Sequence, residues 1–165
     1  MMFVYRRTIP AVLALAAAAG FCRGEDPAPA KFYKLDFVVK EVEGAKVLNS
    51  RAYSMIASDG NRDHSIRAGS KVPITTKAQY QLIDIGVNID ASAIKEIQNR
   101  FSFTLAAEIS SIPADSASQS LPVIRQNKWN SVVLVPFKKP TVVFSSDNLD
   151  AKSQLQIEVT AAPIP

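Results

Sequence analysis

The stretch Tyr80-Gln-Leu-Ile-Asp-Ile-Gly-Val-Asn-Ile89, which ends a segment that begins at Gly69, decides the fold of this chain. Every second residue from Ile83 to Ile89 is β-branched and apolar, and Asp, Gly and Asn stand between them. This period of two predicts a β-strand with one buried face and one face in water. A polar outer face is more typical of an antiparallel sheet than of a parallel sheet, which is covered on both sides.

The first 24 residues have the layout of a secretory signal peptide. Arg6 and Arg7 precede the apolar run Ala11–Phe21, which is shorter than the roughly 20 apolar residues that a bilayer-spanning helix needs. We therefore predict that residues 1–24 are removed on export to the periplasm, the outer membrane or the medium.

The place of cleavage has alternatives. Cys22-Arg23-Gly24 is the first small-residue site, and Ala28-Pro29-Ala30 is the second. A lipid anchor on Cys22 is disfavoured, because the bulky Phe21 precedes that cysteine.

Removal of the leader changes the charge of the chain. The 165-residue sequence has 19 basic and 15 acidic residues, a net charge of +4. Three of the basic residues lie in the leader, which leaves 16 against 15 and a net charge of +1. After Gly24, only Lys138 and Lys139 are adjacent basic residues, so we expect no nucleic-acid partner.

The exported chain is long enough for one domain. Glu25 to Lys31 is a Pro/Ala segment that predicts an extended tether, and residues 32–165 form a single predicted domain. The only cysteine lies in the leader, so this domain must be held together by its apolar core.

Strand patterns fill the domain. Strands are predicted at Phe32–Glu43, Lys46–Ala57, His64–Lys71, the segment after Gln79 to Ile97, Arg100–Ser110, Leu121–Pro136, Thr141–Ser145 and Gln154–Ala161. The fold class is therefore all-β: an antiparallel sandwich or open barrel of about eight strands.

Local signals indicate how some of these strands connect. Ser58-Asp-Gly-Asn61 and Asp147-Asn-Leu-Asp150 predict hairpin turns, and Pro73 is expected to limit pairing of the third strand. The long pattern after Gln79 predicts a hairpin about Gln98-Asn99, with Ala91 and Ala93 on its apolar face. A short helix over Ser92–Gln98, capped by Ser92, is the alternative.

Residues that could carry chemistry are few. His64 is the only histidine, and its neighbours on a strand point to the opposite face, so no triad forms among adjacent residues. Asp59, Asn61 and Asp63 begin like a calcium loop, but His64 stands where glycine is needed and Ser70 where the bidentate glutamate is needed. We predict no catalytic residue, metal ligand or cofactor, and no enzymatic activity.

Several runs of residues resemble a known family. They are Val47-Leu-Asn-Ser-Arg51, Ser65-Ile-Arg-Ala-Gly-Ser-Lys-Val-Pro-Ile74, Asp84-Ile-Gly-Val-Asn-Ile89, Pro122-Val-Ile-Arg125 and Asn130-Ser-Val-Val-Leu-Val135. In this order they resemble the C-terminal β-domain of secretins, the outer-membrane ring proteins of type II and type III secretion and of type IV pili. The resemblance implies a β fold whose strands pair between copies, or a shortened relative that has kept the fold and lost the pore.

The chain departs from the secretin pattern at two places. Asn88-Ile-Asp-Ala91 replaces the usual Val-Thr-Pro end, and Pro136 to Phe144 replaces a glycine-rich end. Only Glu25 to Glu43 precedes the match, where secretins carry several ring-building domains. Strands that bury one face in a core cannot also offer that face to lipid. We therefore expect a water-soluble domain that associates with a membrane complex and has no transmembrane helix.

Two function classes follow. The first is an exported structural or interaction protein of the cell envelope, linked to protein secretion, that acts by self-association or by binding a protein partner. The second is a stand-alone ligand-binding module, with a cleft near Trp129 and the polar loop from Ser110 to Ser120. The residues predicted to contact a ligand or partner are Trp129, Tyr80 and Arg125.

Overall fold

The structure is a computed structural model that describes residues 29–76, 79–113, 122–148 and 152–165. The predicted leader, most of the tether, and most of the Ser110–Ser120 loop lie outside these residues. The described part of the chain forms eight strands: β1 (Phe32–Glu43), β2 (Lys46–Ser58), β3 (His64–Thr76), β4 (Gln79–Ile97), β5 (Arg100–Ser111), β6 (Arg125–Pro136), β7 (Thr141–Asp147) and β8 (Gln154–Ile164).

The strands form two antiparallel four-stranded sheets. The first sheet has the order β2-β1-β8-β7 and the second has the order β3-β4-β5-β6. Buried side chains of both sheets form one core cluster, so the molecule is an antiparallel sandwich. The predicted fold class is confirmed.

The strand that decided the fold behaves as its pattern predicts, up to one irregularity. Ile89 and Ala91 are buried in β4, but Ala93 has a φ of 51° and is exposed. The ladder to β5 shifts at this bulge, and Ile94 takes the buried position instead. The prediction that Ala93 continues the apolar face is wrong, because a bulge inserts one residue and reverses the faces.

The hairpin between β4 and β5 is confirmed, and the alternative helix over Ser92–Gln98 is wrong. Gln98 and Asn99 have φ values of 49° and 58°, the left-handed pair that a two-residue type I′ turn requires.

The predicted hairpin at Ser58-Asp-Gly-Asn61 is wrong. β2 pairs with β1, whereas β3 pairs with β4 in the other sheet. The connection from β2 to β3 crosses from the first sheet to the second. It is fixed by backbone hydrogen bonds between Gly60 and Ile94 and by hydrogen bonds between Asp59 and Lys31. The same turn residues suit a hairpin within one sheet and a connection between two sheets. The turn sequence therefore did not reveal which sheet the chain enters next.

β3 also runs further than predicted. Pro73 lies opposite Leu82 within the ladder, which an edge strand permits because the proline nitrogen can face away from the partner. β5 meets β4 only from Val87 onward. Among the described residues, the ends of β3 and β4 beyond this point pair only with each other and form a two-stranded ribbon.

A pair of glycines marks the base of this ribbon. Gly69 lies opposite Gly86, whose φ is 151°. A Cβ on Gly86 would overlap the carbonyl oxygen of Ala68, and one on Gly69 would overlap that of Ile85. Only glycine lets the two backbones approach this closely.

Candidate functional site

The two ends of the sandwich differ in the side chains that point between the sheets. At one end β1 and β5 begin, and Tyr33, Phe101 and Phe103 are at most 1% exposed. Ring centroids lie 4.9 Å apart for Tyr33 and Phe101 and 5.1 Å apart for Phe101 and Phe103. Phe137 stacks on Tyr33 with centroids 6.0 Å apart. We call these four residues the aromatic end, which is sealed against water.

At the opposite end the inward positions are polar. The alternation that buries Leu35, Phe37 and Val39 in β1 brings Glu41 inward opposite Asn49 and Leu155. On β2, Arg51 lies opposite the buried Val39. On β6, Arg125 and Asn127 line the same end. Glu41, Asn49, Arg51, Arg125 and Asn127 together are called the polar end.

Glu41 anchors this end to the β7–β8 connection. Its Oε1 accepts hydrogen bonds from Ser153 Oγ at 2.7 Å and from Asn148 Nδ2 at 3.0 Å. Asn148 Nδ2 also reaches Ser153 Oγ at 2.8 Å. Ser153 is buried, so the carboxylate supplies an acceptor that a buried hydroxyl needs.

Two cavities open between the sheets at the polar end. One has a volume of about 140 Å³ and is lined by Asn49 and Arg51, and the other has a volume of about 260 Å³ and is lined by Arg125 and Asn127. Both are lined by Glu41, Ile109, Ser111 and Leu155. The two cavities therefore form one cleft with an apolar floor and polar walls.

The three sequence-predicted contact residues do not form one site. Arg125 lies at the polar end, opposite Ser111. The ring of Trp129 packs on the core and against Phe144 of β7, with centroids 5.5 Å apart. It therefore joins the edge of the second sheet to the edge of the first. Tyr80 lies in the ribbon with its backbone opposite Thr75, and its side chain is outside the described part.

Sequence reasoning missed Glu41, although a signal for it was present. The period of two that predicted Leu35, Phe37 and Val39 as buried places Glu41 on the same face two residues later. A carboxylate on an apolar face marks a polar end of the core.

A third cavity lies on the outward face of the second sheet, over Ala106 and beside Trp129. Its volume is about 460 Å³. Its charged walls are already paired: Arg67 contacts Asp90 at 2.6 Å, and Lys128 contacts Glu108 at 3.2 Å. Such exposed pairs are typical of a solvated sheet face.

Tyr33 and Asp36 have shifted pKa values. Burial raises the pKa of Tyr33, and nearby Glu96 raises it further. The pKa of Asp36 is lowered: burial opposes the shift, but hydrogen bonds from Ser54 and Lys34 outweigh it. His64 accepts a hydrogen bond from the backbone nitrogen of Ser58 at 3.2 Å, at the start of β3.

Neither a metal-binding cluster nor a membrane-spanning helix is found in the described residues. They contain no group of three or more His, Cys, Asp or Glu side chains that could hold a metal ion. Nor does any helix there have the length and apolar character needed to cross a membrane.

Comparisons with known proteins bear on the fold. No protein-family model matches the sequence, and no curated protein matches it. Solved structures do match, each over 82% of this chain. The InvG secretin domain β-barrel of the Salmonella SPI-1 injectisome matches with a TM-score of 0.56 and 7% identity over 64% of its chain.

Type II secretion system secretins match in the same way. GspD of E. coli has a TM-score of 0.53 and 10% identity over 50% of its chain. XcpQ of Pseudomonas aeruginosa has a TM-score of 0.52 and 10% identity over 57% of its chain. This chain thus spans between 50% and 64% of the length of these three proteins. The resemblance to the secretin β-domain is confirmed at the level of the fold.

Proposed function

We propose that this protein is an exported, non-enzymatic structural component of the cell envelope that assembles through its sheet edges and is linked to protein secretion. The observation that carries the proposal is the fold likeness to secretins over 82% of the chain. The N-terminal leader pattern supports export, with residues 25–31 as a tether to the domain.

Within the described residues, the outer strands of the sandwich pair on one side only, which leaves edges for such assembly. β2 and β7 are the outer strands of the first sheet, and β3 and β6 are those of the second. An outer strand presents backbone donors and acceptors that another strand can pair with, unless proline, lysine or a bulge blocks it.

β6 is the least blocked of these edges. β3 carries Pro73 and Lys71, the ladder of β2 has a register shift opposite Glu41 and Val42, and β7 has a register shift before Phe144. β6 carries one lysine, and its ladder to β5 is regular over twelve residue pairs. Val132 on its outward face is 70% exposed. We therefore assign the assembly contact to β6.

Pairing of unlike edges would generate larger assemblies. If β6 of one copy pairs with β3 of the next, the contact is head-to-tail, and repetition builds a ring or a filament. Both strands belong to the same sheet, so the sheet would continue from copy to copy.

The molar mass in solution tests the proposal. We expect light scattering after size exclusion to give a mass well above one chain at micromolar concentration, and Val132→Lys to shift it to one chain. Phe32→Lys is the control, because Phe32 is 50% exposed but lies on β1, which is paired on both sides. A strictly monomeric wild-type protein at all concentrations contradicts the proposal.

The cavity beside Trp129 favours a second function, that of a stand-alone exported ligand-binding module. Its volume of about 460 Å³ is within the range of about 300–1,000 Å³ typical of small-molecule sites. Ligand addition should then change the fluorescence of Trp129, the only tryptophan. Unchanged fluorescence across libraries of sugars, peptides and lipids would remove this candidate.

A further inference from the structure

The cleft at the polar end holds opposite charges apart. Glu41 and Arg51 line the same cavity, on neighbouring strands and one diagonal step apart in register. The ion pairs of the described residues do not include one between them. Diagonal neighbours on a sheet are separated by roughly 7–8 Å, within reach of long side chains, so one small ligand can contact both charged groups.

In the described part of the chain, hydrogen-bond donors reach only one oxygen of Glu41. Both hydrogen bonds from Asn148 and Ser153 go to Oε1, and no donor among the described residues reaches Oε2. The same two bonds hold the carboxylate in place, so a ligand would meet an ordered acceptor. A half-buried carboxylate with an open oxygen favours a positively charged donor such as an ammonium group.

Arg51, across the cleft from Glu41, favours a negatively charged group of the ligand. A guanidinium group donates several hydrogen bonds in one plane and matches a carboxylate. Arg125 lines the adjoining cavity. A ligand that satisfies both walls must carry an ammonium and a carboxylate.

The floor of the cleft is apolar. Val39, Val87, Ile109 and Leu155 line the cavity between Glu41 and Arg51. An aliphatic side chain of a ligand could cover these residues and remove their apolar surface from water. The volumes of about 140 and 260 Å³ fit a small molecule and not a long peptide.

We propose that the polar end binds a free α-amino acid with an aliphatic side chain. The ammonium group meets Glu41, the carboxylate meets Arg51, and the side chain lies on Leu155 and Ile109. This site does not require the assembly proposed for β6, because the residues that meet the ligand lie on β1, β2, β5 and β8, and β6 lines only the adjoining cavity.

Calorimetric titration with three probes tests the chemistry on the protein purified after expression of the full sequence. The probes are leucine, leucine amide, which lacks the carboxylate, and N-acetyl-leucine, which lacks the ammonium. We expect leucine to bind and each derivative to bind at least about tenfold more weakly, because each loses one charge-assisted contact. No heat of binding with leucine at millimolar concentration, or equal affinity for all three probes, would overturn the proposal.

Two variants with matched controls test the residues. Glu41→Gln keeps an oxygen for Asn148 and Ser153 but removes the charge, and Arg51→Gln changes an exposed side chain. Each should weaken leucine binding at least about tenfold. Glu43→Gln and Arg100→Gln, which line neither cavity, should leave it unchanged. Leucine affinity that is unaffected by Arg51→Gln, or reduced as much by the controls, would contradict the assignment.

Discussion

The aromatic end and the polar end are built by the same two sheets and the same alternation of inward and outward residues. They differ in the side chains that point between the sheets. Tyr33 and Glu41 are both inward residues of β1, eight positions apart. Around Tyr33 the sheets meet through tightly packed rings, whereas around Glu41 they enclose a cleft. One sandwich can therefore be stabilised by tight packing at one end and keep an open cleft for contacts at the other end.

The largest expected effect comes from the aromatic end. Phe103→Ala should lower the free energy of unfolding by about 3–5 kcal/mol, because a fully buried ring leaves a cavity. Leu82→Ala, at a position that is 52% exposed in the ribbon, should change it by less than about 0.5 kcal/mol. Urea denaturation followed by circular dichroism measures both. A loss at Phe103 as small as that at Leu82 would show that the rings do not hold the sheets together.

A smaller effect is expected at the polar end. Glu41→Ala removes the acceptor shared by Asn148 and the buried Ser153, which should cost about 1–3 kcal/mol. Glu41→Gln keeps an acceptor oxygen and should cost clearly less. The same denaturation experiment compares the two variants. If both lose equally, the charge of Glu41 stabilises this end, and the hydrogen-bond account fails.

The smallest effect concerns the hydroxyl group of Tyr33, which is buried without a hydrogen-bond partner in the described part of the chain. Tyr33→Phe should leave the free energy of unfolding at neutral pH within about 0.5 kcal/mol of the wild type or raise it, because it removes an unsatisfied polar group.

The same variant should respond differently to alkali. Burial raises the pKa of Tyr33 in the folded state above its usual 10.0, so the unfolded chain loses its proton first as the pH rises. The contribution of protonated Tyr33 to the free energy of unfolding is complete below pH 10. It is lost as the pH rises towards the folded-state pKa. Tyr33→Phe should therefore lose less stability than the wild type between about pH 9 and 11. An identical alkaline loss in both proteins would contradict the burial of this hydroxyl.

Much of this architecture could be predicted from alternation alone, because a strand that packs on a core must alternate. The pattern gave β1 and the hairpin of β4 and β5 at nearly their observed bounds. It could not place the bulge at Ala93, since an inserted residue reverses the faces without changing composition. It also could not show that β2 and β3 belong to different sheets, because Asp59-Gly60 is compatible with either path.

The candidate site was harder to predict from the sequence than the fold. Arg125 lies at the polar end, whereas Trp129 packs on the core and lines the cavity on the outward face of the second sheet. Glu41 and Arg51 lie on neighbouring strands, and their proximity depends on the register of β1 and β2. That register is a tertiary property, so the sequence alone gave no reason to join them.

Hydrogen exchange along β6 tests the central claim, assembly through an open sheet edge, most directly. Backbone amides of β6 should become slower to exchange as the protein concentration rises, while amides of β1, which is paired on both sides, stay unchanged. Val132→Lys should abolish the slowing. Exchange on β6 that is as fast in concentrated as in dilute protein would contradict the account.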